Sequence, residues 1–167
     1  VVSTTSTNHT AKAKDDDDDA MIIPKPKFSK VKWKKKRYLM MQDVKKKIQQ
    51  QDPNAAKKAE DMVRRMFQVY ENSGRDMDFR PTLQAYNMWS HALAKSKSEN
   101  AGELAEQVLE QMRHHQIWPD VITYTSIMDA HARSQSPEKA EGVLFRLLDE
   151  APTDHMELSS VTCDTIL

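Results

Sequence analysis

Residues 118–127 read WPDVITYTSI, and their secondary structure decides which fold the chain adopts. Six of the eight residues after Pro119 are of the β-branched or aromatic types that favour strands, namely Val121, Ile122, Thr123, Tyr124, Thr125 and Ile127. However, four residues recur at the spacing i, i+3, i+4, i+7 that marks one face of a helix: Tyr124, Ile127, Met128 and His131. Pro119 ends the preceding helix, and Asp120 and Thr123 offer capping oxygens for a new one. We therefore predict a helix here, in which tertiary contacts override strand propensity.

A repeated pattern surrounds this stretch. The segments AEDMVRRM (59–66), AEQVLEQM (105–112) and AEGVLFRL (140–147) share their apolar positions, and the last two start 35 residues apart. The first two start 46 residues apart, which fits the same repeat with insertions. Upstream of the two later copies lie LQAYNMW (83–89) and VITYTSI (121–127), in which Tyr86 and Tyr124 align. A period of about 35 residues built from two helices is typical of an α-solenoid. The predicted fold class is all-α, an α-α superhelix preceded by a disordered N-terminal segment.

The predicted organisation follows from the repeats and from composition. Residues 1–37, which include the Asp15–Asp19 run, are expected to be a disordered, low-complexity and basic linker. Further helix starts are predicted at Asp52 with Pro53, at a capping box of Asn100 and Glu103, and at Ser136 with Pro137. The remaining units are a degenerate or first hairpin at 38–82, repeats at 83–120 and 121–159, and the start of a further repeat at 160–167.

Charge is distributed unevenly along the 167 residues. The formal net charge is zero, but residues 25–50 carry +10 and residues 51–167 carry −7. The basic segment is either a solubilising linker or an arm on a phosphate backbone, with Trp33 available for stacking. Cys163 is the only cysteine, which excludes an intrachain disulfide and a cysteine-based zinc site and fits a reducing compartment. No stretch reaches the roughly 18 to 20 apolar residues of a membrane span, so no membrane partner is expected.

The repeats resemble the pentatricopeptide repeat family. QIWPD (116–120) followed by VITYTSIM (121–128) is similar to the family's repeat junction, and the Ala-Glu segments are similar to its second helix. The repeats depart from the family in length: they exceed its usual 35 residues by three (83–120) and four (121–159). The second also ends in Leu158-Ser159 where Pro-Asp is usual. The resemblance covers roughly residues 50–167, and the chain is expected to be a fragment of a larger protein.

The resemblance implies binding of single-stranded RNA, with about one nucleotide for each repeat. In the family the fifth and last residues of a repeat read the base edge, and the second residue packs against the base. These positions correspond here to Asn87 and Asp120 with Gln84, to Thr125 and Ser159 with Ile122, and to Asp164. In the family's code the pair of Asn and Asp corresponds to uracil, whereas the pair of Thr and Ser is not a standard one.

Catalysis is not expected from these residues. The sequence has no Gly-rich phosphate loop, no metal-ligand spacing and no nucleophile with an identifiable base, so neither enzyme activity nor a cofactor nor a metal is expected. His91 and His131 are expected to be partly buried packing residues. We expect non-catalytic RNA binding in a mitochondrion or plastid, where most of the family acts. The alternatives are a protein-interaction scaffold, or the repeat region of a protein-only RNase P-like enzyme whose nuclease domain lies elsewhere. The −7 charge of the repeats argues against nucleic acid, whereas the basic 25–50 segment could supply phosphate contacts.

Overall fold

The computed structural model describes residues 29–150, which form six α-helices and one short 3-10 helix. The α-helices are α1 (Lys30–Gln49), α2 (Ala55–Asn72), α3 (Leu83–Lys95), α4 (Ala101–His114), α5 (Val121–Arg133) and α6 (Pro137–Glu150), and the 3-10 turn is Met77–Phe79. Within the described range there is no strand, so the all-α prediction is confirmed. The predicted disorder of residues 1–28 and the unit at 160–167 lie outside the described residues.

The helices form three consecutive hairpins, α1–α2, α3–α4 and α5–α6. Helix α3 contacts both α1 and α5, so the first helices of the hairpins lie side by side in one layer. Each second helix packs against its own first helix, and α2 and α4 also pack against the first helix that follows them. This is the arrangement of an α-solenoid, in which neighbouring hairpins share a core.

Helix α5 begins in the stretch WPDVITYTSI, directly after Asp120. The Thr123 backbone N–H donates to Asp120 Oδ1 at 2.9 Å, and the Asp120 N–H donates to Thr123 Oγ1 at 3.4 Å, which completes a capping box. The four residues at helical spacing are all buried: Tyr124, Ile127, Met128 and His131. The predicted helix is therefore confirmed, and its strand-favouring residues are accommodated by burial.

The Ala-Glu segments lie at the centre of the core. Ala59, Ala105 and Ala140 are at most 2% exposed, because each sits where the second helix of a hairpin approaches its neighbours. Two turns later along each helix, Met66, Met112 and Leu147 are also buried. The i, i+3, i+4, i+7 stripe of these segments is thus the shared core face of the solenoid.

The aligned tyrosines connect the two helices of each hairpin. The Tyr86 hydroxyl hydrogen-bonds His115 Nδ1 after the end of α4, and the Tyr124 hydroxyl donates to Glu150 at the end of α6. Burial raises the pKa of Tyr86, and burial together with Glu150 raises the pKa of Tyr124 to about 12. Both hydroxyls therefore remain protonated donors near neutral pH, and Arg113 donates to Glu150 as well.

We expect the stability of the fold to fall as pH is lowered from about 6.5, the ordinary pKa of histidine. Burial lowers the pKa of His115, whose ring stacks on Phe67 at 3.7 Å between ring centres. The unfolded chain therefore binds more protons than the native state between the folded pKa and 6.5, so stability in this window rises with pH and is lost on acidification. Urea denaturation at pH 7.5 and 5.5 measures the difference, which His115→Phe should reduce.

The matched comparison is His91→Phe. Desolvation and the nearby cation of Lys95 also lower the pKa of His91, so this substitution should remove a further part of the difference. An unchanged pH dependence in both variants would contradict the assignment.

The boundary of the predicted linker at residue 37 is wrong, because α1 begins at Lys30. Trp33 is 3% exposed and packs against Phe79, with ring centres 6.2 Å apart. Lys30 Nζ lies 3.0 Å from a carboxylate oxygen of Asp76 and 2.5 Å from one of Asp78. These tertiary contacts hold a lysine-rich segment that already favours helix. Because Trp33 is buried, the predicted stacking role for it is also wrong.

Two predicted caps differ from the structure. Helix α2 begins at Ala55, two residues after Pro53, but Asp52 Oδ1 still accepts the Asn54 backbone N–H at 2.8 Å, while Asp52 Oδ2 accepts from Lys47 at 2.8 Å. Asn100 precedes α4 as predicted, but its side chain makes no capping hydrogen bond. Glu103 is drawn away from the cap by Lys139, which donates to it at 2.9 Å. The start of α6 at Pro137, after Ser136, is confirmed.

The two histidines predicted to be equivalent differ in their surroundings. His131 is 1% exposed, and its Nε2 lies 2.8 Å from Glu106 Oε1. His91 is exposed on α3, so the expectation that it is a packing residue is wrong. The offset of 38 residues that aligns Tyr86 with Tyr124 aligns His91 with Asp129, so the two histidines occupy different positions on their helices, and only the His131 ring lies against Gly102 of α4.

Candidate nucleic-acid interface

The two residues predicted to read one base are in direct contact. Asn87 Nδ2 lies 3.1 Å and 3.0 Å from the two carboxylate oxygens of Asp120, although 33 residues separate them in sequence. Helix α3 positions Asn87, and the cap of α5 positions Asp120, so the packing of α3 on α5 brings them together. Both side chains are partly exposed. The structure therefore brings together the two residues that the family resemblance paired, and their role in reading a base stays a prediction.

A third residue, Thr123, completes the arrangement. Its hydroxyl oxygen lies 2.5 Å from Asn87 Oδ1 and 2.9 Å from Asp120 Oδ1. The hydroxyl has a single proton, and Asn87 Oδ1 is the nearer acceptor. Thr123 itself is completely buried, so its position is fixed. The sequence predicted only a capping role for Thr123. Its position two residues before Thr125, the fifth residue of the repeat, was the signal for its second role, the contact with Asn87.

These contacts fix the orientation of the Asn87 amide. The nitrogen faces the carboxylate and the oxygen faces the Thr123 hydroxyl, so a rotation that exchanges them would place Oδ1 against Asp120. One N–H of the Asn87 amide is shared between the two oxygens of Asp120, and one lone pair of Oδ1 accepts from Thr123. The second N–H and the other lone pair of Oδ1 remain unused. Asn87 thus presents one donor and one acceptor in a set order.

The residues predicted to pack against bases lie at the surface. Gln84 is exposed on α3, and Ile122 is 60% exposed on α5. Each precedes the fifth residue of its repeat by three positions, so it lies on the same side of its helix. Thr125, the second predicted reader, donates its hydroxyl proton to the Val121 carbonyl at 2.7 Å and retains only acceptor capacity. Ser159 and Asp164 lie outside the described residues.

A cationic concavity of about 1130 Å³ lies between the C-terminal ends of α1, α3 and α5. Its wall includes Lys95, Lys97 and Arg133, together with a single carboxylate, Glu99. Lys95 and Arg133 occupy the same position in successive repeats, and both approach Asp129, at 3.9 Å and 2.8 Å. The net charge of the repeats concealed this local excess of cations. The recurrence of a cation 38 residues apart was the sequence signal for it.

An exposed aromatic residue adjoins the Asn87–Asp120 pair in sequence. Trp118 is 85% exposed and stands two residues before Asp120. Tryptophan side chains are on average largely buried in folded domains, so an indole this open to solvent is uncommon. It was not among the predicted site residues, although it begins the stretch from which the fold was deduced.

Neither a metal centre nor a membrane crossing is found among residues 29–150. No group of three His, Cys, Asp or Glu side chains in this range is placed to hold a metal ion. Within the same range, no helix combines the length and the hydrophobicity that a membrane crossing requires.

The fold and the paired site define the class of the described region, an α-solenoid with a polar groove along its first helices. A family model described as pentatricopeptide repeat domain matches residues 74–133. The predicted resemblance is therefore confirmed over this segment, which contains α3, α4, α5 and the Asn87–Asp120 pair. No curated protein and no solved structure matches the chain significantly.

Proposed function

We propose that the chain is a non-catalytic RNA-binding module that selects a pyrimidine, preferentially uracil, at the Asn87–Asp120 pair. The observation that carries the proposal is the fixed amide of Asn87, held by Asp120 at 3.0 and 3.1 Å and by Thr123 at 2.5 Å. The remaining N–H and lone pair match a base edge that offers one acceptor and one donor side by side. Typical action of the family on RNA supports the same proposal.

The fixed order of donor and acceptor gives a physical reason for selectivity. At ring positions 4 and 3, uracil offers the O4 acceptor and the N3–H donor, whereas cytosine offers the N4 amino donor and the N3 acceptor. The two bases therefore present opposite orders to the same amide, and an amide that cannot rotate discriminates between them. The family's association of Asn with Asp favours uracil as the preferred base.

The charge of the groove supports RNA rather than an interaction scaffold for basic or neutral proteins. Three cations, Lys95, Lys97 and Arg133, line the concavity between the first helices with one carboxylate, Glu99. Asp129 pairs with Lys95 and Arg133, so Lys97 is the cation of this set without an ion pair among the described residues. Such cations attract the phosphates of RNA, and each contact between a cation and a phosphate makes the affinity for RNA more sensitive to salt. The proposal extends to an organelle, the mitochondrion or plastid, where most of the family acts.

The test is fluorescence anisotropy at low salt with the full chain and short single-stranded RNAs that differ only in one U or one C. We expect tighter binding to the U-containing strand, and we expect Asn87→Ala to remove most of the preference, roughly a tenfold effect for one lost bidentate contact. Two described repeats address few bases, so the absolute affinity is expected to be modest.

The matched control is Asn72→Ala, which changes an exposed asparagine at the end of α2. This control should bind both strands as the unaltered chain does. Absence of RNA binding at low salt would contradict the proposal, as would a U preference that survives Asn87→Ala.

A further inference from the structure

Helix α1 is a strongly basic element in the same layer as the RNA-reading helices. Its eight lysines and Arg37 face one acid of its own, Asp43, which gives a net charge of +8 over Lys30–Gln49. Within residues 29–150, only three of these cations form ion pairs: Lys30 and Lys34 with the Asp76–Asp78 turn, and Lys47 with Asp52. Six others have no carboxylate partner in this range: Lys32, Lys35, Lys36, Arg37, Lys45 and Lys46.

The end of α1 is continuous with the cationic concavity. Ile48, Gln49 and Gln51 form one of its walls, opposite the ends of α3 and α5. Helix α1 also contacts α3 directly. It therefore extends the surface along which the proposed RNA would lie, and does not stand apart from it.

The repeat spacing places an aromatic residue of α1 at a base-packing position. Ala59 and Ala105 are 46 residues apart, and the same offset aligns Tyr38 with Gln84 and Met41 with Asn87. Gln49 then aligns with Lys95, and these two residues do line the same concavity, which supports the register. Tyr38 is 60% exposed, as is Ile122 at the corresponding position of the later repeat.

The chemistry at these positions differs from that at the Asn87–Asp120 pair. Met41 is partly buried in the core and has no strong donor or acceptor with which to read a base edge. Tyr38 can stack on any base, because every base has a π-face. Lys34, Lys45 and Tyr38 share one side of the helix, since they are separated by four and seven residues. A stacking residue between cations suits a sequence-independent contact.

We propose that α1 is a sequence-independent arm of the RNA groove, in which Tyr38 stacks on the base adjacent to the one at Asn87 and the lysines contact phosphates. This inference rests on the proposed function, since it concerns the same strand of RNA. A lipid surface is a weaker match, because the end of α1 lines the wall of a concavity and lysines separate Val31 from the other exposed apolar residues, Tyr38 and Leu39.

The test compares two variants of the full chain, Tyr38→Ala and Lys35→Gln combined with Lys45→Gln, in anisotropy titrations against the U- and C-containing strands. Tyr38→Ala should weaken binding to both strands equally, by about five- to tenfold for one lost stacking contact, and leave the U preference intact. The double lysine variant should reduce the slope of log affinity against log salt by about 1.4. Tyr38→Phe should restore the affinity.

The matched controls are Leu39→Ala, which changes an exposed neighbour of Tyr38, and Lys57→Gln combined with Lys58→Gln on α2. Unchanged RNA affinity in Tyr38→Ala, with an Asn87-dependent U preference still present, would overturn the inference and leave the proposed function standing. Loss of binding to anionic vesicles in the α1 variants, without loss of RNA binding, would overturn it in favour of a membrane-surface helix. Absence of RNA binding by the unaltered chain would contradict the proposed function, and with it the inference that rests on that function.

Discussion

Gly102→Ala is expected to lower the free energy of unfolding by about 2–3 kcal/mol, near the upper end of overpacking effects. A Cβ at this position would lie 2.2 Å from Nδ1 and 2.6 Å from Cε1 of His131. The His131 ring is 1% exposed and its other nitrogen is engaged with Glu106 at 2.8 Å, so it has no space into which to move. Helices α4 and α5 would have to separate, although their contact is part of the shared core.

Gly142→Ala is the matched control, because it makes the same change near the start of α6. An added Cβ there has no heavy atom within 4 Å. Replacing an exposed helical glycine by alanine should raise the free energy of unfolding by about 0.5–1 kcal/mol. Urea denaturation followed by circular dichroism measures both variants. Equal effects of the two substitutions would refute the close approach of α4 and α5 at Gly102.

Asp120→Ala should have two separable consequences, loss of stability and loss of base selection. The carboxylate caps α5 by accepting the Thr123 N–H at 2.9 Å, and removing such a cap costs about 1–2 kcal/mol. The same carboxylate holds the Asn87 amide, so its removal should also abolish the preference for U over C.

Asp120→Asn distinguishes the two roles, since asparagine caps helices about as well as aspartate. The free energy of unfolding should therefore stay close to that of the unaltered chain. The introduced amide cannot accept from Asn87 through both of its polar atoms, so the U preference should still weaken. Thermal melts report the cap, and anisotropy titrations report the preference. If Asp120→Asn destabilises the fold as much as Asp120→Ala does, the cap depends on charge and the separation is wrong.

The repeat spacing made much of the fold predictable. The recurrence of the Ala-Glu segments predicted a helix despite the strand propensity of WPDVITYTSI, and the structure has the helix Val121–Arg133 there. The same register, combined with the resemblance to a family, paired Asn87 with Asp120 from the sequence alone. Local composition was less reliable: the lysines of residues 30–37 indicated a linker, whereas the contact of Trp33 with Phe79 makes them helical.

Contacts between hairpins could not be deduced from spacing alone. Thr123 completes the site because a buried hydroxyl happens to face Asn87 Oδ1, which depends on how α5 sits against α3. The approach of Gly102 to His131 likewise joins residues 29 positions apart whose meeting is decided by helix packing. A repeat pattern specifies which faces are buried, but side-chain partners across those faces follow only from three-dimensional geometry.

Three glutamines at helix ends have a consequence for the way this solenoid can evolve. Gln51, Gln116 and Gln135 follow α1, α4 and α5 with φ of 54°, 55° and 57°, a left-handed conformation that costs a residue with a side chain roughly 1 kcal/mol or more. Glycine usually occupies such positions, yet the chain contains only three glycines. Stability thus remains to be gained at these joints, of which Gln51 and Gln135 line the concavity and Gln116 does not. Mutations at the joint after α4 can offset destabilising changes along the first helices, so the residues exposed there can change without loss of the fold.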